Sequence, residues 1–98
     1  MIVVRNTFHI RAGQMKRAVE LTTDGRATFQ KIGLPAPRFY VDVAAEFYTL
    51  VLETEHPTLA AVEQQFSQIF QNEDWQKWYQ QLTPLVRNGR REIFRTVD

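Results

Sequence analysis

The chain of 98 residues contains no cysteine, and it has only four prolines and four glycines. Without cysteine, disulfides, thiolate nucleophiles and cysteine-ligated zinc sites are all excluded, so packing alone must hold the fold. The two histidines, His9 and His56, are far apart in the sequence and form no metal-binding motif. His9 and Asp42 would make at most a weak site if the fold brought them together. We therefore expect no metal.

Neither sign of charge is concentrated in this chain. Twelve basic and eleven acidic residues give a formal charge of +1. The nearest approach to a basic cluster consists of Arg87, Arg90, Arg91 and Arg95. Short arginine groups of this kind are typical of solvated turns and strand edges, so we expect no nucleic-acid partner. Arg5 interrupts the apolar start of the chain, which indicates an opening strand and not a signal peptide or membrane span, so we expect a cytoplasmic location and no membrane partner.

Aromatic residues are plentiful for a chain of this length: seven Phe, three Tyr and two Trp, within 44% apolar residues. The length predicts one domain, residues 1–98. A domain of this size buries only about 60–65% of the surface that its unfolded chain exposes, so an isolated monomer would be marginally stable. We expect part of the aromatic surface to serve a subunit interface.

The order of apolar periodicities predicts secondary structure in the sequence βαββαβ. Residues 2–10 alternate, with Ile2, Val4, Phe8 and Ile10 on one face. Helical spacing then extends over about 13–31. Gly25 inside this helix costs about 1 kcal/mol relative to Ala, and a bend or an early end there is the alternative. Strands follow at 38–43 and 47–53, joined as an antiparallel hairpin.

The second helical region should be divided. Thr58 is placed to cap a helix, and the apolar positions before and after residues 71–73 lie on opposite sides of one straight helix. A break there, with Asn72 as a new cap, resolves the conflict. Pro84 and Asn88-Gly89 should close the helices, and 91–97 should form the last strand. The predicted fold class is α+β, a ferredoxin-like sandwich with a four-stranded antiparallel sheet.

Strand 47–53 is apolar on both faces, which predicts a second cover for the sheet. Together with residues 3–15, 72–78 and 89–93, this stretch resembles the dimeric α/β-barrel superfamily, and within it the NIPSNAP-like proteins. The resemblance implies that two sheets pair face to face as a homodimer. The superfamily includes haem-degrading and antibiotic-biosynthesis monooxygenases, muconolactone isomerases and members without assigned activity.

That resemblance offers several chemistries and selects none. The Asn, Trp and His used by haem-degrading members cannot be matched here residue by residue, so we expect no cofactor. Two functions stay open. The first is a homodimeric protein that binds a small ligand or has a structural role. The second is a small cofactor-free monooxygenase or isomerase acting on a cyclic or aromatic substrate inside the barrel.

If the more apolar sheet face packs on the helices, the other face carries the candidate site. It would present Arg5, Thr7 and His9, joined by Tyr40, Asp42, Thr49 and Arg95. An arginine would bind a carboxylate or enolate, and His9 with Asp42 would transfer a proton. The alternative is that these groups satisfy one another across a dimer interface. A single β-bulge would invert the assignment of faces.

Two further features have competing interpretations. Trp75 and Trp78, with Tyr79, would line a site for a flat apolar ligand, although their helical spacing is more typical of core or interface. His56 next to Pro57 is most simply an exposed residue at a helix entrance, with a ligand-binding role as the alternative.

Overall fold

The computed structural model describes residues 1–97, and its elements follow the predicted order. They are β1 (Ile2–Ile10), α1 (Met15–Ile32), β2 (Arg38–Val41), β3 (Thr49–His56), α2 (Leu59–Phe70), α3 (Glu73–Leu82) and β4 (Val86–Arg95), with a 3₁₀ turn at Thr83–Leu85. The strands form one sheet in the order β2-β3-β1-β4, with every neighbouring pair antiparallel. The ferredoxin-like fold class is confirmed.

The helical region after β3 is divided where the sequence predicted. The Thr58 hydroxyl accepts a hydrogen bond from the Ala61 amide at 3.1 Å and starts α2. Asn72 Oδ1 accepts from the Trp75 amide at 3.0 Å and starts α3. Each cap satisfies a helix-end donor that would otherwise lack a partner. No helix among residues 1–97 combines the length and the hydropathy needed to cross a bilayer.

Helix α1 continues through Gly25 to Ile32, so the predicted helix is confirmed and the alternative of a bend or an early end at Gly25 is not observed. A Cβ at Gly25 would lie 2.8 Å from Cζ2 of Trp78, which shows that the glycine allows α3 to approach closely. The indole is also bonded to the same helix, because Nε1 of Trp78 donates to the Leu21 carbonyl of α1 at 2.8 Å.

One face of the sheet packs against the helices. On β1 this is the face of Ile2, Val4 and Ile10, which are at most 9% exposed. The larger core cluster joins the sheet to α1 and α3 and contains Ile10, Ala18, Leu21, Phe29, Leu50, Leu52, Trp78 and Leu82. Val62 of α2 closes a smaller cluster with Ile2 and Val4. The predicted choice of faces is therefore confirmed on β1, and the opposite side, carrying Arg5, Thr7 and His9, is called the open face below.

Strand β4 begins five residues earlier than predicted, at Val86 instead of residue 91. Gly89 lies inside the strand opposite Phe8, so Asn88-Gly89 does not close the helical region. A Cβ on Gly89 would lie 2.7 Å from the backbone oxygen of Thr7. Close backbone approach, and not a turn, accounts for this glycine. A register shift between His9 and Ile10 marks the end of the regular β1–β4 pairing.

Candidate functional site

The strand register sets the open-face side chains in rows that cross all four strands. The first row consists of Arg38, Glu53, Arg5 and Glu92. Directly opposed residues of antiparallel strands point to the same face, so the charges alternate in sign along this row. Nε of Arg5 donates to Oε2 of Glu53 at 2.8 Å, and the Glu53 side chain is only 13% exposed. A side-chain hydrogen bond to Tyr40 is the main reason that the pKa of Arg38 is raised above its ordinary value.

The second row crosses the middle of the open face and consists of Tyr40, Val51, Thr7 and Arg90. It borders a recess of about 420 Å³. Four of the predicted site residues line this recess: Arg5, Thr7, Tyr40 and Thr49. Four others line it that sequence reasoning did not select: Val51, Glu53, Arg90 and Glu92. Arg90 was not selected because β4 was expected to begin at residue 91, and Glu92 was not selected because Arg95, on the other face of that strand, was assigned to the site. With the strand beginning at Val86, Arg90 lies opposite Thr7 and Glu92 opposite Arg5.

His9 occupies the next row of the open face, between Thr49 of β3 and Asn88 of β4. Its Nδ1 atom is 3.5 Å from Oε2 of Glu46, which is in the loop between β2 and β3. The His9 side chain is 11% exposed and that of Glu46 is 70% exposed. The loop thus brings a carboxylate to a largely buried imidazole.

The predicted pairing of His9 with Asp42 is wrong. Oδ1 of Asp42 instead accepts a hydrogen bond from the Thr49 amide at 2.8 Å. The Asp42 amide in turn donates to the Thr49 carbonyl at 3.2 Å. These two bonds turn Asp42 onto the backbone at the base of the loop, and they leave Glu46 as the carboxylate beside His9. Whether Asp42 or Glu46 faces His9 depends on the conformation of this loop, and the alternation of residues in the strands does not specify that conformation.

Arg95, Trp75 and Trp78 do not join the open face. Arg95 lies opposite Ile2, so its side chain leaves the sheet on the helix-packed side, and the prediction that it lines the recess is wrong. Trp75 stacks on Tyr79 with ring centroids 4.7 Å apart, and Trp78 is 4% exposed in the core. The cavity that these indoles border is about 30 Å³, room for about one water molecule. The core interpretation of this pair fits the structure.

His56 is buried, which contradicts the expectation of an exposed residue. It is 2% exposed, and its Nε2 atom lies 2.9 Å from the Thr54 hydroxyl. Strand β3 continues past the predicted end at residue 53, and it places His56 opposite Ile2 on the helix-packed side. Burial lowers the pKa of His56 below its ordinary value. No cluster of three or more metal-ligating acids and histidines exists within residues 1–97.

Comparison with known proteins adds fold relationships. No family profile matches the chain, and no curated protein matches its sequence. A NIPSNAP family protein from Agrobacterium tumefaciens superposes with a TM-score of 0.88 at 18% identity, over 99% of this chain and 86% of that one. A NIPSNAP domain protein from Burkholderia xenovorans gives 0.84 at 13% identity, over 99% and 95%.

A third similar structure is an antibiotic biosynthesis monooxygenase, with a TM-score of 0.77 at 17% identity over the whole of both chains. At sequence identities this low, the similarity supports a shared fold but not a shared activity. The resemblance expected from the sequence is confirmed at the level of fold. The chain has the ferredoxin-like fold found in NIPSNAP family proteins and in antibiotic biosynthesis monooxygenase.

Proposed function

We propose that this chain forms a homodimer through the open face of its sheet and binds a small oxygenated ligand in the recess enclosed there. The observation that carries the proposal is the composition of this face. It presents three arginines and three glutamates, namely Arg5, Arg38, Arg90, Glu53, Glu55 and Glu92. The formal charges sum to zero, so a second copy can approach without net repulsion.

Apolar groups lie among these charges. Tyr40 is 43% exposed and Phe94 is 41% exposed, and the Arg5 guanidinium lies 5.2 Å from the centre of the Phe94 ring. Half-buried Val51 is at the centre of the face, between Tyr40 and Thr7. A mixture of aromatic residues and arginine is typical of protein interfaces. Covering this face would also enlarge the small buried fraction of a chain of this length.

The dimer is tested by sedimentation velocity at micromolar concentration on the wild type and on a matched pair of variants. Val51→Glu places two like charges against each other if two open faces meet, and we expect it to be monomeric. Val19→Glu makes the same change at a 43% exposed site on α1 and should remain dimeric. Circular dichroism checks that both are folded. A monomeric wild type, or two variants that both stay dimeric, would refute the proposal.

The recess supports the ligand part of the proposal. Thr7, Tyr40 and Thr49 bring hydroxyl groups to it, and Val51 provides an apolar floor. Nε of Arg90 lies 3.2 Å from Oε1 of Glu92, which leaves the two terminal amino groups of Arg90 as further donors. Such a lining suits a flat ring that carries hydroxyl or carbonyl oxygens better than a bare anion, because the arginines already have acidic partners.

Ligand binding can be followed by backbone amide NMR with salicylate as the probe. We expect shifts concentrated at the amides of Thr7, Val51 and Arg90. The Arg90→Gln variant should bind more weakly, and Arg17→Gln, an exposed change on α1, should bind as the wild type does. Shifts confined to the helices, or none at millimolar salicylate, would contradict a recess site.

The alternative function is catalytic: a cofactor-free monooxygenase or isomerase that acts on a cyclic or aromatic substrate in the same recess. Its support is the fold shared with an antibiotic biosynthesis monooxygenase, together with an imidazole one row from the recess. Oxygen uptake and quinone formation with 1-naphthol test the monooxygenase form. Loss of both in the Val51→Glu variant, but not in Val19→Glu, would place the reaction on the open face.

A further inference from the structure

The two nitrogens of the His9 ring are in different surroundings. Nδ1 is buried and has no hydrogen-bond partner among residues 1–97, with the Glu46 carboxylate 3.5 Å away. Nε2 is the ring nitrogen that does not face Glu46, and the His9 side chain as a whole is 11% exposed. A carboxylate only accepts hydrogen bonds. The Glu46 carboxylate beside Nδ1 therefore favours the tautomer of His9 with its proton on Nδ1, and in that tautomer the Nε2 lone pair is free.

The loop that carries Glu46 is restrained by contacts that do not involve His9. The Thr49 hydroxyl donates to the Glu46 backbone oxygen at 2.6 Å. Nη2 of Arg87 donates to the Phe47 carbonyl at 3.1 Å and lies 3.9 Å from the same Oε2 atom that faces His9. The backbone of the loop is thus tied to β3 and to β4, and this places the Glu46 side chain, which is 70% exposed, beside the His9 ring.

We propose that His9 exchanges a proton with a ligand in the recess, and that Glu46 is a positioning residue that fixes the reactive tautomer of His9. This inference rests on the proposed binding of a ligand to the open face. His9 and Thr7 are two residues apart on one face of β1, about 7 Å along the strand, so a ring seated over Thr7 reaches the imidazole.

The ligand class follows from this geometry: a flat cyclic carbon acid with a C–H bond next to a carbonyl group. The Nε2 lone pair takes the proton, and the C–H electron pair becomes an enolate whose oxygen is within the range of the Arg90 donors. The imidazolium then returns the same proton to another atom of the ring. The product is a tautomer of the ligand, and no oxidant or other reactant is needed.

The tautomer is tested first, because that measurement needs no ligand and no change to His9. Nitrogen-15 NMR at pH 8 should show His9 with its proton on Nδ1 in the wild type. Glu46→Ala should shift His9 towards the Nε2-protonated form that free histidine prefers. Glu63→Ala, an exposed change on α2, should leave it unaltered. A wild type protonated on Nε2 would overturn the role of Glu46.

Proton transfer is tested with 5-nitrobenzisoxazole, from which a base removes the ring C–H while the N–O bond breaks and a coloured nitrophenolate forms. We expect the wild type to exceed His9→Ala by about a hundredfold. Glu46→Ala should fall towards His9→Ala, and Glu63→Ala should match the wild type. Equal rates for wild type and folded His9→Ala would overturn the inference.

Sedimentation of the same samples separates the two proposals. If the protein is a dimer but its rate with 5-nitrobenzisoxazole does not depend on His9, the proton-transfer inference is refuted and the proposed dimer stands. A monomeric wild type removes the proposed function itself, and a His9-dependent rate from such a monomer would locate the chemistry on a single chain.

Discussion

Gly25→Ala should destabilise this protein, against the usual effect of such a change in a helix. In the interior of a helix, alanine is favoured over glycine by about 0.5–1 kcal/mol. Here the added Cβ would lie 2.8 Å from Cζ2 and 3.0 Å from Cε2 of Trp78, and 3.2 Å from Cζ of Phe39. Contacts this short require the neighbouring rings to move.

Trp78 has little freedom to move. Its indole nitrogen donates to the Leu21 carbonyl at 2.8 Å, and a net hydrogen bond of this kind is worth about 1 kcal/mol. Overpacking of a well-filled core costs about 1–3 kcal/mol. After the helix-propensity gain is subtracted, the free energy of unfolding should fall by up to about 2.5 kcal/mol. In a domain of this size the melting temperature should drop by roughly 4–8 °C for each kcal/mol.

Urea and thermal unfolding, followed by circular dichroism at one fixed protein concentration, measure the effect, because dissociation of a dimer would couple to unfolding. Ala27→Gly is the matched control. It lies on the exposed side of the same helix, and it should cost about 0.5–1 kcal/mol from propensity alone. An increase in the free energy of unfolding for Gly25→Ala would refute the close-packing account of this glycine.

Three further outcomes are expected. Burial lowers the pKa of His56 below its ordinary value of 6.5, so at pH values near and below 6.5 the unfolded chain binds more protons than the native one. As the pH is lowered from 6.5, the free energy of unfolding should therefore decrease until the pH has passed below the pKa of His56 in the folded protein. In urea unfolding series, His56→Gln should flatten this dependence, and an unchanged slope would contradict the assignment. Gly89→Ala should lower the free energy of unfolding by more than about 1 kcal/mol, because the added Cβ would lie 2.7 Å from the Thr7 backbone oxygen. It should also speed amide hydrogen exchange along β4, and unchanged exchange rates would count against that reasoning. Asn72→Ala should cost about 1 kcal/mol in the same unfolding assay while Asn72→Ser costs little, and equal losses would show that the cap to the Trp75 amide contributes nothing.

The elements that sequence predicted well are those in which local chemistry and periodicity agree. Strand β1 alternates with Asn6 as the one polar residue on its apolar face, and its two faces were assigned correctly. Thr58 and Asn72 are both capping side chains, and at Asn72 the apolar stripe also changes direction, so two independent signals marked the start of α3. Gly25 and Gly89 were misread because the reason for each lies in another element. Spacing along one segment does not show that an indole or a neighbouring strand comes within contact distance.

The candidate site combines both situations. Arg5, Thr7 and Thr49 follow from alternation within single strands, and these residues do meet at the recess. Arg90 lies on the open face, where Arg95 had been expected. Alternation within β4 shows which of its residues share a face, but it does not show which of the two faces lies beside Thr7 of β1. That depends on the register of β4, which is set by where the 3₁₀ turn after α3 ends. Glu46 is the hardest case, since it is an exposed residue in an irregular loop. Only the anchoring of that loop by Thr49 and Arg87 brings its carboxylate to His9, so the chemistry proposed for this chain depends on contacts that no periodic pattern encodes.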